Sequence, residues 1–274
     1  MPKENIFRKF NVSDFKNEIP KKASLKNLRN ALVNAIATQT KGSNKAAVLF
    51  SGGLDSSLVS LLVSKKIKIR LFVVGTKNSS ALPRARKYSN DLGLDLHEKI
   101  VSGDEVKKES NRISKIIGTK NKLQISIALP IYFALSEIKK SGLNTVFCGQ
   151  GADELFFGYD EFRRLLNSGK DYPQLEDLRW AKLINLWKDN LKRDISLADY
   201  FGLELKAPYL EKEFMLQALA FNAKQNIASK NDFLRKRILR RLALELNLPK
   251  KIALERKKAV QYDSGISKIL KNSY

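Results

Sequence analysis

One stretch of the chain brings glycine, hydroxyl and carboxylate residues together at a spacing suited to anion chemistry. It reads Ser51-Gly52-Gly53-Leu54-Asp55-Ser56-Ser57 and follows the apolar run Ala46–Phe50. The two glycines let backbone amides come close to an anion. Ser51, Ser56 and Ser57 add hydroxyl donors. A helix opening near Asp55 adds its first amides and the positive end of its dipole. Such a seat suits a pyrophosphate, and Asp55 can hold Mg2+ against phosphate oxygens. No Lys follows Gly53, so the loop is not of the Walker type, and it lacks the G-x-S-x-G of a hydrolase elbow. A Ser-His-Asp triad would have to use His97, the only histidine. The structural alternative is a glycine turn with a capping Asp.

A second run, TVFCGQGADELFFGYDEF (145–162), pairs glycines with acids. An apolar strand ends at Cys148, Gly149 and Gly151 turn the chain, and Asp153 and Glu154 follow. In a parallel sheet the carboxyl ends of the strands face the ligand crevice. This loop is therefore expected beside the first, with Asp153 as a second magnesium ligand. The alternative is a helix N-terminus decorated with acids.

The elements that must position these loops are short apolar runs alternating with helical stretches. Strands are expected at Ala46–Phe50, Ile69–Val74, Leu96–Val101 and Thr145–Cys148, with helices near 56–65, 83–92 and 124–140. Residues 25–39 carry Leu25, Leu28, Leu32, Val33 and Ile36 on one helical stripe. Continuous apolar strands joined by helices argue for an α/β fold, a parallel sheet covered on both faces. The expected organisation is a polar N-terminal arm over 1–24, a sheet core over about 25–160, and a mostly helical part over about 161–274.

Composition narrows the class. Of 274 residues 43% are hydrophobic, enough for a real core, and no apolar run is long enough to span a membrane. MPKENIFRKF is charged where a signal peptide needs an apolar region. A single cysteine, Cys148, forms no internal disulfide. These features point to a cytoplasmic protein. The net charge of +23 raises nucleic acid as a partner, and the stretch 224–274 holds fourteen Lys/Arg against four Asp/Glu. Within it Leu234, Ile238, Leu242 and Leu246 mark one helical face, with the basic residues largely on the others. The lysines are otherwise spread along the chain, so a solvated basic surface is favoured over RNA binding.

The SGGLDSS loop resembles the PP-loop of the ATP pyrophosphatases. With G-x-G-A-D-E-L-F-x-G-Y about a hundred residues on, the chain resembles the synthetase domain of the asparagine synthetase family. Three further stretches agree: 71–100 is similar to the family's adenine-binding strand and helix, 202–214 to its G-[IV]-E-x-R-x-P-F-L-D segment, and 248–265 to its L-P-x-x-I…R-x-K segment. The resemblance spans about residues 25 to 268. It implies a five-stranded parallel sheet with added C-terminal helices. It also implies a ligase that uses ATP and Mg2+ to adenylate a small carboxylate, aspartate above all, releases pyrophosphate, and then forms an amide with ammonia. On that resemblance the whole SGGLDSS loop with Gly149 and Gly151 binds ATP and pyrophosphate. Val74 and Gly75 pack on adenine, Asp55 and Asp153 hold magnesium, and Lys258 lies near the phosphates.

The sequence departs from the family pattern in places. Gln150 stands where the glutamine-dependent enzymes usually carry Glu, and Gln can orient a nucleophile but not act as a base. Ala81 replaces a usual acid, and Glu211 a usual Asp. Residue 2 is Pro where glutamine-dependent members have their nucleophilic cysteine, and about 24 residues precede the synthetase region. The expectation is a chain lacking the N-terminal glutaminase domain, taking free ammonia or ammonia from a separate glutaminase subunit. The alternatives are a relative that adenylates another substrate, such as a tRNA base, and a non-catalytic nucleotide-binding module.

Overall fold

The computed structural model describes residues 12–256 and 263–271. In chain order the helices are α1 (Val12–Glu18), α2 (Leu25–Thr40), α3 (Leu54–Ser64), α4 (Ala81–Leu92), α5 (Gly103–Ile117), α6 (Lys122–Lys140), α7 (Ala152–Leu155), α8 (Asp160–Asn167), α9 (Tyr172–Leu186), α10 (Lys192–Tyr200), α11 (Lys212–Leu219), α12 (Ala223–Asn226), α13 (Arg237–Glu245), α14 (Lys250–Ala253) and α15 (Ile266–Lys271). The strands are β1 (Lys45–Leu49), β2 (Lys68–Gly75), β3 (Leu96–Ile100), β4 (Thr145–Phe147) and β5 (Glu204–Lys206). Two compact units interleave along the chain. A sheet unit takes Gln39–Cys148, Lys192–Lys206 and the described part of Lys257–Tyr274. A helical unit takes the described part of Met1–Thr38 with Gly149–Leu191 and Ala207–Arg256.

In the sheet unit all five strands run parallel in the order β3-β2-β1-β4-β5. Val48 sits in register between Leu71 of β2 and Phe147 of β4. The inner residues Ala46, Ala47, Val48, Leu71, Phe72, Val73 and Val146 are buried. Successive side chains of a strand point to opposite faces, so burial of consecutive residues means cover on both sides. That is why the inner parts of β1, β2 and β4 read as unbroken apolar runs, while the edge strands β3 and β5 carry charged residues. From β1 the chain steps outward to β2 and β3, then returns to β4 on the other flank. The direction of winding therefore switches between β1 and β4, where an open α/β sheet leaves a crevice outside the strand ends. On one face Val106, Ile113 and Ile117 of α5, Leu129, Leu135 and Ile138 of α6, and Leu197 of α10 form one core with Phe72 and Val146.

The helical unit has its own core, in which Phe157, Phe162, Leu175, Ala223 and Ile227 meet. Residues 12–18, expected within a loose arm, form α1. Its Phe15 is buried, its Lys16 lies over the Trp180 ring, and its Glu18 pairs with Lys212 at 2.8 Å. Helix α13 buries Ile238 and Leu242, and Leu246 is buried just past its end. Leu234, expected on the same helical face, is half-buried and precedes the helix, because Arg235 and Lys236 at positive φ intervene. Arg240 departs from the expected basic exterior. It is buried and caps the carbonyls of Arg235, Leu234 and Glu255 at 2.8, 2.6 and 3.0 Å. Part of the positive charge in this stretch is thus structural.

Candidate active site

The loop after β1 gets its shape from its own residues. Gly52 has φ +69, a left-handed conformation that favours glycine. Ser56 closes the turn: its Oγ accepts from the Ser51 amide at 3.2 Å and lies 3.1 Å from Ser51 Oγ. The Gly53 amide donates to Ser51 Oγ at 3.3 Å. Ser56 and Ser57 are both buried, and Ser57 Oγ has no hydrogen-bond partner among the described residues. The hydroxyls expected to face an anion are in this structure turned largely into the loop.

What the loop does offer is an open helix end. Helix α3 starts at Leu54 with Gly53 as its cap residue, and no side chain caps it. Helix α5 in the same unit is capped in full. Ser102 Oγ accepts from the Glu105 amide at 3.2 Å, and Glu105 accepts from the Ser102 amide at 2.8 Å. The first-turn amides of a helix must find acceptors. A glycine turn running into an uncapped helix supplies donors for an anion. Half-buried Asp55 stands in that first turn. Phosphate groups fit this donor set, and one carboxylate beside them fits Mg2+, which keeps few protein ligands. Among the described residues no group of three or more His, Cys, Asp or Glu gathers to hold a metal by itself.

Val74 is buried near the end of β2 and Gly75 is its last residue; a Cβ on Gly75 would run into Ser79 Oγ. One residue further on opens a cleft of about 680 Å3, lined among others by Thr76, Lys77, Ser80, Ser102 and Lys268. Arg84, which the sequence did not single out, donates to the Ser51 carbonyl from Nε at 3.0 Å and Nη2 at 2.7 Å. His97 lies on β3, 3.1 Å from Glu137, with its ring tilted against that of Phe72 at 5.1 Å between centroids. Cys148 is buried, and its amide donates to Lys206 in β5.

The second loop belongs to the helical unit, and each element of its pattern has a cause in the packing of that unit. Gly151 has φ +93, and a Cβ there would run into Leu210. Gly158 is required by close approach, because a Cβ would meet the Asp153 carboxylate and the Lys236 side chain. Glu154 is buried and is held by Tyr159 Oη at 2.6 Å and Asn190 Nδ2 at 3.0 Å. Enclosure of the Tyr159 phenol, and then the Glu154 charge, push its pKa well above the usual value, so it stays a donor. Asp153 pairs with Lys236 Nζ at 2.7 Å. Gln150 is half-buried at the loop's start. Lys258 lies outside the described residues.

A family model described as asparagine synthase matches residues 27–197 and 175–273. The chain belongs to the asparagine synthase family. A putative glutamine-hydrolysing asparagine synthetase of Methanocaldococcus jannaschii is 34% identical over 273 residues, covering 89% of this chain and 50% of that protein. Asparagine synthetase B of Escherichia coli, also named glutamine-hydrolysing, is 29% identical over 254 residues, covering 87% and 44%. The chain thus spans about half the length of these curated relatives. Among solved structures, an NMN synthetase from Francisella tularensis is 12% identical with a TM-score of 0.46, covering 92% of this chain and 87% of that one. The asparagine synthase fold is here an α/β fold with a five-stranded parallel sheet. Among the described residues no helix is long and apolar enough to cross a membrane.

Proposed function

We propose that this member of the asparagine synthase family is an ATP-dependent, AMP-forming carbon–nitrogen ligase acting on a small carboxylate, with aspartate as its substrate. The observation that carries the reading is the uncapped start of α3 behind the Ser51–Gly53 turn, at the strand ends where the sheet's winding switches. In this reading the amides of Gly52, Gly53 and the first turn of α3 take the phosphates of ATP, and Ser51 and Ser56 hold the turn in shape, with Ser57 buried behind it. Val74 and Gly75 take the adenine at the end of β2. The carboxylate attacks the α-phosphorus, the bond to the β-phosphate oxygen breaks, and pyrophosphate leaves into the loop. Ammonia then attacks the acyl carbon, loses a proton, and AMP departs.

Asp55 and Asp153 would hold Mg2+, which neutralises charge on the phosphate oxygens when bound. Gln150 would face the carboxylate and orient the incoming ammonia by hydrogen bonding, and Gly149 and Gly151 would take part in binding ATP and pyrophosphate. Lys258 would balance charge at the phosphates. The nitrogen is taken as ammonia, free or passed on by a glutaminase.

The test is turnover of the purified chain with ATP, Mg2+, aspartate and ammonium. The expected products are pyrophosphate, AMP and asparagine in equal amounts. Formation of ADP, or absence of carboxylate-dependent pyrophosphate release over a panel of carboxylates, overturns the reading. RNA-stimulated release in place of it would move the substrate to a nucleic acid.

A further inference from the structure

We propose that Arg84 is the positioning residue of the phosphate loop, and that Asp263 anchors it. This rests on the reading of that loop as the pyrophosphate seat. Three observations within the sheet unit converge. The Arg84 guanidinium grips the Ser51 carbonyl with two N–H groups, at 3.0 and 2.7 Å. A Cβ on Gly52 would sit 3.2 Å from Arg84 Cγ and 3.3 Å from Nε, so the arginine packs directly against the turn. The Nη2 that holds Ser51 also pairs with the Asp263 carboxylate, and both side chains are nearly closed off, 11% and 2% exposed.

A trans peptide unit is planar, with its C=O and N–H pointing opposite ways. Holding the Ser51 oxygen on the Arg84 side therefore aims the Gly52 amide away from α4. A carbonyl pointing into an anion seat would repel the anion, and this one is tied back by a cation. The anchor is itself fixed. Asp263 also accepts from Ser80 Oγ. The Thr76 amide donates to the Ser264 carbonyl at 2.9 Å, and Gly265, at φ +77, leaves no room for a Cβ against Thr76. The chain's return at 263–265 is thus clipped onto the β2–α4 loop, and Arg84 passes that placement to the phosphate turn. Only a guanidinium serves two acceptors with this fork; an ammonium is a point charge.

The test uses the full chain with inorganic pyrophosphate as the probe, measured by calorimetry, alongside kinetics and melting temperature. Arg84→Lys keeps the charge and loses the fork. It is expected to melt within a few degrees of wild type, to weaken pyrophosphate binding at least tenfold, and to raise KM for ATP by a similar factor. Asp263→Asn, which frees the arginine without removing it, is expected to weaken binding three- to tenfold. The double variant should bind no worse than Arg84→Lys alone. Wild-type pyrophosphate affinity in Arg84→Lys, or in Asp263→Asn should Arg84→Lys fail to fold, overturns the proposal and leaves the loop reading standing. A wild-type chain that binds no pyrophosphate overturns the loop reading, and this proposal with it.

Discussion

Lys236 Nζ lies 2.7 Å from Oδ1 of Asp153, and the lysine is almost wholly buried, at 3% exposure. The backbone supports this pairing at a cost. Arg235 and Lys236 are consecutive non-glycine residues at φ 50 and 52, each worth about 1–2 kcal/mol of strain. Both side chains reach the Gly151–Asp160 loop. Arg235 donates to the Gly158 carbonyl at 3.1 Å and to Asp160 at 2.7 Å. The left-handed turn before α13 is thus held by what its two cations grip. The acid proposed to hold Mg2+ has a resident cation of its own.

Removing that cation should cost stability in a way that removing its partner repairs. Breaking a buried ion pair from one side costs about 3–5 kcal/mol. Asp153 is partly exposed, so Lys236→Met is expected to cost about 2 kcal/mol in urea denaturation. Adding Asp153→Asn should recover at least half of that loss. A Lys236→Met chain as stable as wild type would show that the pair does not hold the loop.

Gly158→Ala tests the same pair by crowding it. The added methyl would occupy the space where the Asp153 carboxylate and the Lys236 stem now lie. Overpacking of this kind costs about 1–3 kcal/mol. Because the displaced groups are an acid proposed to act and its partner, turnover should fall at least tenfold. Pyrophosphate release and thermal melting of the purified variant check both expectations. Gly158 is not at positive φ, so the change tests crowding without backbone strain.

The parts legible in the sequence were those with local causes. Strands β1, β2 and β4 announced themselves by their buried apolar runs, whereas β3, Leu96-His97-Glu98-Lys99-Ile100, is a half-buried edge strand whose apolar residues stand only at its ends. Strand β5 did not: Glu204-Leu205-Lys206 has charged ends and sits at the sheet edge. Helix α5 was also not read, although Ser102 and Glu105 form a capping box and Val106, Ile113 and Ile117 share a stripe. The glycine and acid pattern of both loops was legible as a pattern, although the residues that crowd Gly52, Gly151 and Gly158, namely Arg84, Leu210 and Lys236, lie far along the chain. Arg84, Lys236 and Asp263 were not, because their roles depend on contacts across the fold. Arg84 bonds a carbonyl 33 residues away, and Ser80 meets Asp263 across 183. No spacing in the chain encodes such partners.

Helix α5 gives a pH prediction. The Lys99 ammonium at 2.7 Å, and then the Ser102 amide, hold the Glu105 carboxyl below its usual pKa. A lowered carboxyl contributes stability that is present above the ordinary carboxylate value and is lost as pH falls through the depressed one. Glu105→Gln keeps the cap acceptor and removes only the charge. Because the side chain is partly exposed, the loss at pH 7 should be about 0.5 kcal/mol. It should shrink toward zero as pH falls through the acid range, and also in high salt. A gap that widens on acidification would contradict this assignment.

Asp55→Ala is the most direct test of the chemistry proposed for the phosphate loop. The residue stands half-buried in the first turn of α3, where a carboxylate is favoured by the helix dipole. Its loss should cost the fold about 0.5 kcal/mol, the ordinary value of an acid at a helix start. If Asp55 holds magnesium against the leaving pyrophosphate, the same change removes a metal ligand at the point where charge develops. Such preorganised electrostatic contacts are worth roughly a hundredfold to a thousandfold in rate each. The variant should therefore melt close to wild type and lose at least a hundredfold in pyrophosphate release. Raising Mg2+ should recover part of the loss, since a weakened site fills at higher concentration. Asp55→Asn, which keeps the shape and one acceptor, should fall between. Near-normal turnover by a folded Asp55→Ala chain would remove the metal from this loop and leave it a plain anion turn.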